Sequence, residues 1–132
     1  MIIYIPGDPV GKERPRHTRS GNTYTPEKTK AYEAKVAAAW KKKQGPMFTG
    51  PVRVRIAAHY AIPKSATKAK QEAMLKGKIR PTKRPDIDNV IKCLTDGANG
   101  VAYKDDAQIV TIAATRYYAR EPGVWMEIQE ET

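Results

Sequence analysis

"VRVRIAAHY", residues 52–60, alternates without a break. Val52, Val54, Ile56, Ala58 and Tyr60 fall on one face, and Arg53, Arg55 and His59 on the other. Side chains along a strand point to opposite faces with a period of two, so the stretch reads as a strand with one face in a core. Such a strand needs a cover, and the flanking sequence supplies it. Upstream, Thr25-Pro26-Glu27 reads as a helix start: a capping hydroxyl, proline at the first helical position and an acid facing the dipole. That helix is expected to run to about Lys43, with Tyr32, Val36 and Trp40 in one row on the core side, and to stop at Gly45-Pro46. Downstream, Ser65 reads as the cap of a short helix to about Lys76, ended by Gly77. A third helix is expected from roughly Asp88 to Asn99, where Ile87, Val90, Ile91, Leu94 and Ala98 form a narrow apolar stripe.

Toward the ends, "IIYI" (2–5) is a short β-branched strand. "QIVTIAATRYYA" (108–119) and "VWMEIQ" (124–129) read as two strands around Glu121-Pro122-Gly123, taken as a hairpin turn. The order β-α-β-α-α-β-β predicts an α+β fold, with a small mixed sheet of about four strands packed with about three helices. The 132 residues suit a single domain over 1–132. One cysteine, Cys93, excludes an intrachain disulfide and suits a reducing cytosol; beside Leu94 it reads as packing rather than nucleophile. The start "MIIYIPGDPV" has no signal-peptide pattern, and no apolar run approaches a membrane span. A cytoplasmic protein without a membrane partner is expected.

The charge is uneven. Residues 12–84 carry 20 Lys or Arg against 4 Asp or Glu, a net of +16, and the remaining 59 residues carry 4 against 10, a net of −6. That asymmetry suggests a polyanionic partner. "GKERPRHTRSGNTYTP" (11–26) reads as a long basic loop, and "KGKIRPTKRP" (76–85) as a second. Lys12, Arg14, Arg16 and Arg19 in the first, and Lys78, Arg80, Lys83 and Arg84 in the second, are candidate phosphate contacts, which position DNA without reading its sequence. His17 and His59 have no partner at metal-ligand spacing and read as non-catalytic. Tyr24 is either a base-stacking side chain or one packed on the fold.

Against this basic background "KRPDIDNVIKCLTDGANGVAYKDD" (83–106) holds five aspartates. Asp88, Lys92, Asp96 and Asn99 share the face beside the apolar stripe, and Asp86 stands just before the helix. The chain is expected to return and bring Asp105 or Asp106 back beside the N-terminal end of that helix. Three converging carboxylates repel one another, and the arrangement makes sense around a hard divalent cation. The alternative is plain: Asp86 and Asp88 as helix caps, Asp105-Asp106 as a turn, and Asp88/Lys92 as a surface ion pair.

The block "KRPDIDNVIKCLTDGANGVAYKDDAQIV" (83–110), together with "RPRHTRSGNTYTPEKTKAYE" (14–33), resembles the RusA-like family of Holliday-junction resolvases, small and often prophage-encoded endonucleases. The resemblance covers most of the chain. It implies a homodimer that binds four-way DNA junctions and makes paired nicks with Mg²⁺, for which Mn²⁺ is a plausible substitute. The family's two motif aspartates fall on Asp86 and Asp88, its third on Asp106, and its lysine on Lys92. Asp86, Asp88 and Asp106 would then bind metal, and Lys92 would stabilise transition-state charge. Two departures stand out. Gly97-Ala98 replaces the Ala-Leu of many relatives, and a glycine there is expected to weaken the helix end by about 1 kcal/mol. Glu13 stands where relatives often carry glycine. Two rival readings are a non-catalytic nucleic-acid-binding module and a nuclease for other branched or flapped DNA. The intact set of Asp86, Asp88, Lys92 and Asp106 argues against the first.

Overall fold

The computed structural model describes residues 1–131 except 14, 15, 18, 20, 22 and 25, with backbone alone at 16, 17, 23 and 24. In chain order the elements are β1 (Ile2–Pro6), β2 (Arg16–His17), β3 (Thr23–Tyr24), α1 (Glu27–Lys42), β4 (Val52–Ala61), α2 (Lys68–Leu75), α3 (Ile87–Ala98), β5 (Ile109–Ala119) and β6 (Gly123–Glu130). The expected α+β fold is present: three helices and a four-stranded mixed sheet in the order β1-β6-β4-β5. The helices at 27–42, 68–75 and 87–98 lie within a few residues of their expected bounds.

The alternation of β4 survives folding. Val52, Val54, Ile56, Ala58 and Tyr60 are buried, and Arg53 and Arg55 are exposed. β1 and β6 follow the same rule, placing Ile3, Ile5, Val124, Met126 and Ile128 in the same core. α1 covers this face with Tyr32, Val36 and Trp40, and α3 with Val90, Cys93, Leu94 and Ala98. On the opposite face, among the described residues, a shallow groove is lined by strand residues alone, among them Arg55, Thr115, Tyr117 and Trp125.

Strand pairing departs from expectation. β5 and β6 do not form a hairpin, because β4 lies between them: β5 pairs with β4 in parallel and β6 pairs with β4 antiparallel. His59 stands beside Tyr117 on one side and Gly123 on the other, so the turn at 120–122 arcs over the end of β4. A sequence with a tight turn between two strands satisfies either geometry. β4, the strand with the cleanest apolar face, takes the inner position.

Within the segment read as a basic loop, β2 and β3 form a short antiparallel ladder. Pro26 occupies the cap position of α1 rather than its first turn, and Thr25 lies outside the described residues. α2 is capped by Thr67, whose Oγ1 accepts from the Lys70 N–H at 3.3 Å, and not by Ser65. Gly97 proves to be a contact rather than a weak point. A Cβ there would stand 2.8 Å from Val36 Cβ and 3.0 Å from the Glu33 carbonyl oxygen, so glycine is what lets α1 and α3 approach.

Candidate functional site

α3 begins directly after a corner formed by residues 83–86, and that corner is held from two strands. The Tyr60 hydroxyl on β4 donates to the Pro85 carbonyl at 2.6 Å. Arg116 on β5 donates from Nη1 to the carbonyls of Lys83 at 2.7 Å and Pro85 at 3.2 Å, and its guanidinium lies 5.3 Å from the centre of the Tyr60 ring. Burial raises the pKa of the Tyr60 hydroxyl; Arg116 opposes the rise and the Asp86 charge adds to it. From the other side, Gly11 fits closely against the corner. A Cβ on it would come within 2.8 Å of Pro85 Cβ, and the Lys12 N–H donates to the Asn89 carbonyl at 2.8 Å.

Asp86 has the cap position of α3, with extended φ and ψ of −67° and 155°, yet its carboxylate makes no capping hydrogen bond. The reading of Asp86 as an ordinary cap therefore fails. Asp88, in the first turn, is favoured there by the helix dipole. Both side chains are exposed, and among the described residues neither carboxylate takes part in a hydrogen bond or ion pair. They open into a cleft of about 820 Å³ whose walls include Lys92, Lys12, Lys28 and Arg84. Asp86, Asp88, Lys92, Lys12 and Arg84 thus meet in one place. Lys28 belongs with them and was not foreseen; nothing in its local pattern, an exposed lysine in the first turn of α1, distinguishes it from other surface lysines.

Lys12 is not a free cation. Its Nζ pairs with Glu33 Oε1 at 2.7 Å and with Asp96 Oδ2 at 3.1 Å. Burial alone would lower its pKa, but these two acceptors outweigh that and raise it. It ties the N-terminal segment to α1 and α3 and has less to offer a phosphate than expected.

Asp106 lies elsewhere. After α3 the chain turns tightly: the Tyr103 hydroxyl donates to the Thr95 carbonyl at 2.5 Å and the Gly100 N–H to the Tyr103 carbonyl at 2.7 Å. This holds the return against the C-terminal half of α3, not against its N-terminal end as expected. Asp106 does not line the cleft. The charges that act on it are Asp105 and Asp96. Asp105 has a structural duty: its Oδ1 accepts from the Ala107 N–H at 2.9 Å, and Gln108 Oε1 accepts from the N–H groups of Lys104 and Asp105. Gln108 also donates to the carbonyls of Phe48 and Gly50. The spacing Asp-x-x-Gln is a capping-box signature, so this anchor was visible in the sequence. The Asp105 carboxyl is held below its ordinary pKa, first by the Ala107 N–H and then by a hydrogen bond from Asp106. The Asp106 carboxyl is correspondingly raised, first by that shared hydrogen bond and then by the neighbouring negative charges. Among the described residues no group of three or more His, Cys, Asp or Glu stands close enough to hold a metal ion.

The second basic loop is divided in use. Arg84 faces the cleft. Arg80 donates to the Arg116 carbonyl at 2.8 Å and lies over the Tyr117 ring, and Lys83 lies over Tyr118. Lys78 and Arg19 are exposed. Arg16 is in β2, described by backbone alone, as are His17 and Tyr24, and Arg14 lies outside the described residues. Cys93 is buried, and burial first, then the Glu33 charge, push its thiol up to about 12, which removes it as a nucleophile. His59 sits on the sheet face away from the core beside Tyr117, its pKa lowered by burial.

A basic rim around two unpaired carboxylates and a lysine is suited to an anion that arrives with a cation. The family model for "Endodeoxyribonuclease RusA" matches residues 6–129. A relative, the "Uncharacterized protein YqaN" of Bacillus subtilis (strain 168), is 37% identical over 130 residues, covering 94% of this chain and 92% of that protein. The chain belongs to the RusA family of endodeoxyribonucleases. Nucleases of this family depend in general on a divalent metal. The residues present fit one: among the described residues the cleft is lined by Asp86, Asp88 and Glu13 and by no histidine or cysteine, and carboxylates are the hard oxygen donors that Mg²⁺ takes together with water and phosphate. No helix among the described residues is long and apolar enough to cross a membrane.

Proposed function

We propose that the chain, acting as one domain over 1–132, is a Mg²⁺-dependent endodeoxyribonuclease that resolves four-way (Holliday) DNA junctions by paired nicks as a homodimer, in the cytoplasm. The observation that carries this reading is the pair Asp86 and Asp88, free of structural duty, sharing a basic cleft with Lys92. Bound Mg²⁺ would supply Lewis-acid polarisation of a phosphodiester and a water of lowered pKa, and Mn²⁺ would substitute. Asp86 and Asp88 hold the ion. Lys92, one helical turn beyond Asp88, neutralises charge that develops on the phosphate in the transition state. Arg84 and Lys28 meet flanking phosphates, with Arg14, Arg16, Arg19 and Lys78 extending the path outward. Tyr60 and Arg116 keep the corner that carries Asp86 in place.

One chain brings Asp86, Asp88 and Glu13 to its cleft. Asp106, the third aspartate of the family set, lies beside Asp105 and Asp96 and not among the residues that line that cleft. A twofold dimer also matches the demand for symmetric nicks across a junction.

The test uses labelled four-way junction, flap and linear duplex with Mg²⁺ or with EDTA. Paired nicks confined to the junction, abolished by EDTA, are expected. Preferred cutting of the flap would favour a nuclease for other branched DNA, and binding without cutting in any metal would favour a non-catalytic module. Thermal melting supplies a second readout: Mg²⁺ at a hundredfold excess over its dissociation constant adds roughly 2.7 kcal/mol to a folded state that alone binds it. Asp88→Asn should gain less.

A further inference from the structure

A segment far from α3 in sequence also brings an acid to the cleft. We propose that Glu13 is a ligand of the divalent cation alongside Asp86 and Asp88. This rests on the metal-dependent reading above and adds a third ligand from the same chain. Asp86 stands at the cap of α3 and Asp88 in its first turn, so both come from one short stretch. Residues 9–13 line the same cleft from the N-terminal segment. That segment is pinned up to the residue before Glu13. A Cβ at position 11 would stand 2.8 Å from Pro85 Cβ and 3.2 Å from Asn89 Cβ, so the backbone there lies directly against the first turn of α3. The Lys12 N–H donates to the Asn89 carbonyl at 2.8 Å, and Lys12 Nζ is held by Glu33 and Asp96. Glu13 therefore starts one residue beyond a contact with the neighbour of Asp88. With its backbone anchored, ordering it on an ion costs mainly side-chain freedom.

Charge balance in the cleft asks for such a ligand. Lys12 is neutralised by Glu33 and Asp96, which leaves Lys28, Arg84 and Lys92 as three positive charges against the two of Asp86 and Asp88. A divalent cation entering that set alone meets net repulsion. Glu13 brings the count to three against three, and the affinity of a site for a hard cation rises with the charge of its ligands. The cation would then be loaded before DNA arrives, not carried in by a phosphate. Among the described residues the three acids are not gathered closely enough to hold an ion, as like charges without a cation between them require. Glu13 is exposed and its side chain has rotatable bonds enough to swing inward. It has an interaction of its own within the chain, and the cation competes with that interaction.

Calorimetric titration of the full chain with Mn²⁺ alone, without DNA, tests the ligand. Glu13→Gln, of the same shape without the charge, should raise the Mn²⁺ dissociation constant at least about tenfold, with its melting temperature in EDTA retained. Glu13→Asp, which keeps the carboxylate, should recover part of the loss. Glu27→Gln removes the same charge beside Lys28 but outside the cleft, and should stay within about twofold of wild type. Asp88→Asn, a variant of the metal site already described, should weaken binding as well. If Glu13→Gln binds as wild type does while Asp88→Asn is impaired, Glu13 is overturned and the pair of aspartates stands. Equal weakening by Glu27→Gln also overturns it, since the effect would then be one of general charge. A wild type that takes up no Mn²⁺ without DNA overturns Glu13 as a ligand, and the metal reading is then decided separately by cleavage with Mg²⁺ or EDTA.

Discussion

The two ends of α3 use the same side chain in opposite ways. At the C-terminal half Asp96 binds the Lys12 ammonium and Asp105 caps a turn. At the N-terminal end Asp86 and Asp88 have no partner among the described residues, although Asp86 occupies the very position where aspartate ordinarily caps a helix. The difference lies in what each surrounding segment offers. The return after α3 points a backbone N–H at Asp105, and Lys12 reaches Asp96 from the N-terminal segment. The corner at 83–86 is held through its carbonyls, by Tyr60 and Arg116, which leaves the carboxylates free. Acids with a partner hold the fold together, and acids without one are available to a ligand.

The comparison breaks most visibly in activity. Asp86→Asn should lower Mg²⁺-dependent junction cleavage by more than about hundredfold with binding near wild type, because a lost ligand disables the metal and spares the basic rim. Asp105→Asn, which still caps, should stay within a few-fold in the same single-turnover assay. Equal losses would erase the distinction between the two ends.

A smaller effect concerns the helix itself. Intrinsic propensity says Gly97→Ala should stabilise by about 1 kcal/mol. The contact with α1 reverses the sign, and overpacking should cost about 2 kcal/mol in urea unfolding. A stabilised variant would show that the helices have room to separate.

Next come the two anchors. Tyr60→Phe and Asp105→Ala should each lose about 1 kcal/mol of stability, one through a hydrogen bond and the other through a cap. Only Tyr60→Phe should also slow cleavage, because only it loosens the corner bearing Asp86. Matching rates in the two variants would make Tyr60 a stabilising residue alone.

The finest test is the salt dependence of junction binding. Arg84→Gln should reduce the log–log slope by about 0.9, the value of one phosphate contact on duplex DNA. Lys12→Gln should leave it nearly unchanged, since Lys12 is committed to Glu33 and Asp96. A drop of similar size for Lys12 would mean that DNA displaces those acids.

Much was legible before folding because it is local. A period of two marked the buried face of β4, the stripe through Val90, Leu94 and Ala98 marked that of α3, and both appear as read. The Asp-x-Asp before α3 and Lys92 one turn on were found by type and spacing alone. Gln108 had a signature that was passed over. Lys28 had none, because its place in the cleft depends on how α1 is set against α3.

What only the tertiary structure decided is non-local. Alternation tells a strand which face to bury but not which strand to lie beside, so β5 and β6 read as a hairpin when β4 separates them. Charge tells a lysine that it seeks an anion but not whether that anion is DNA or Glu33. Sequence spacing between Asp86 and Asp106 bounds how far apart they can be but not whether they meet, and a turn closed by Tyr103 on the Thr95 carbonyl keeps them apart within one chain. The sequence by itself determined the elements, their faces and the kind of chemistry at hand, since these follow from backbone periodicity and side-chain type. Neighbours were settled by packing, where each contact depends on all the others.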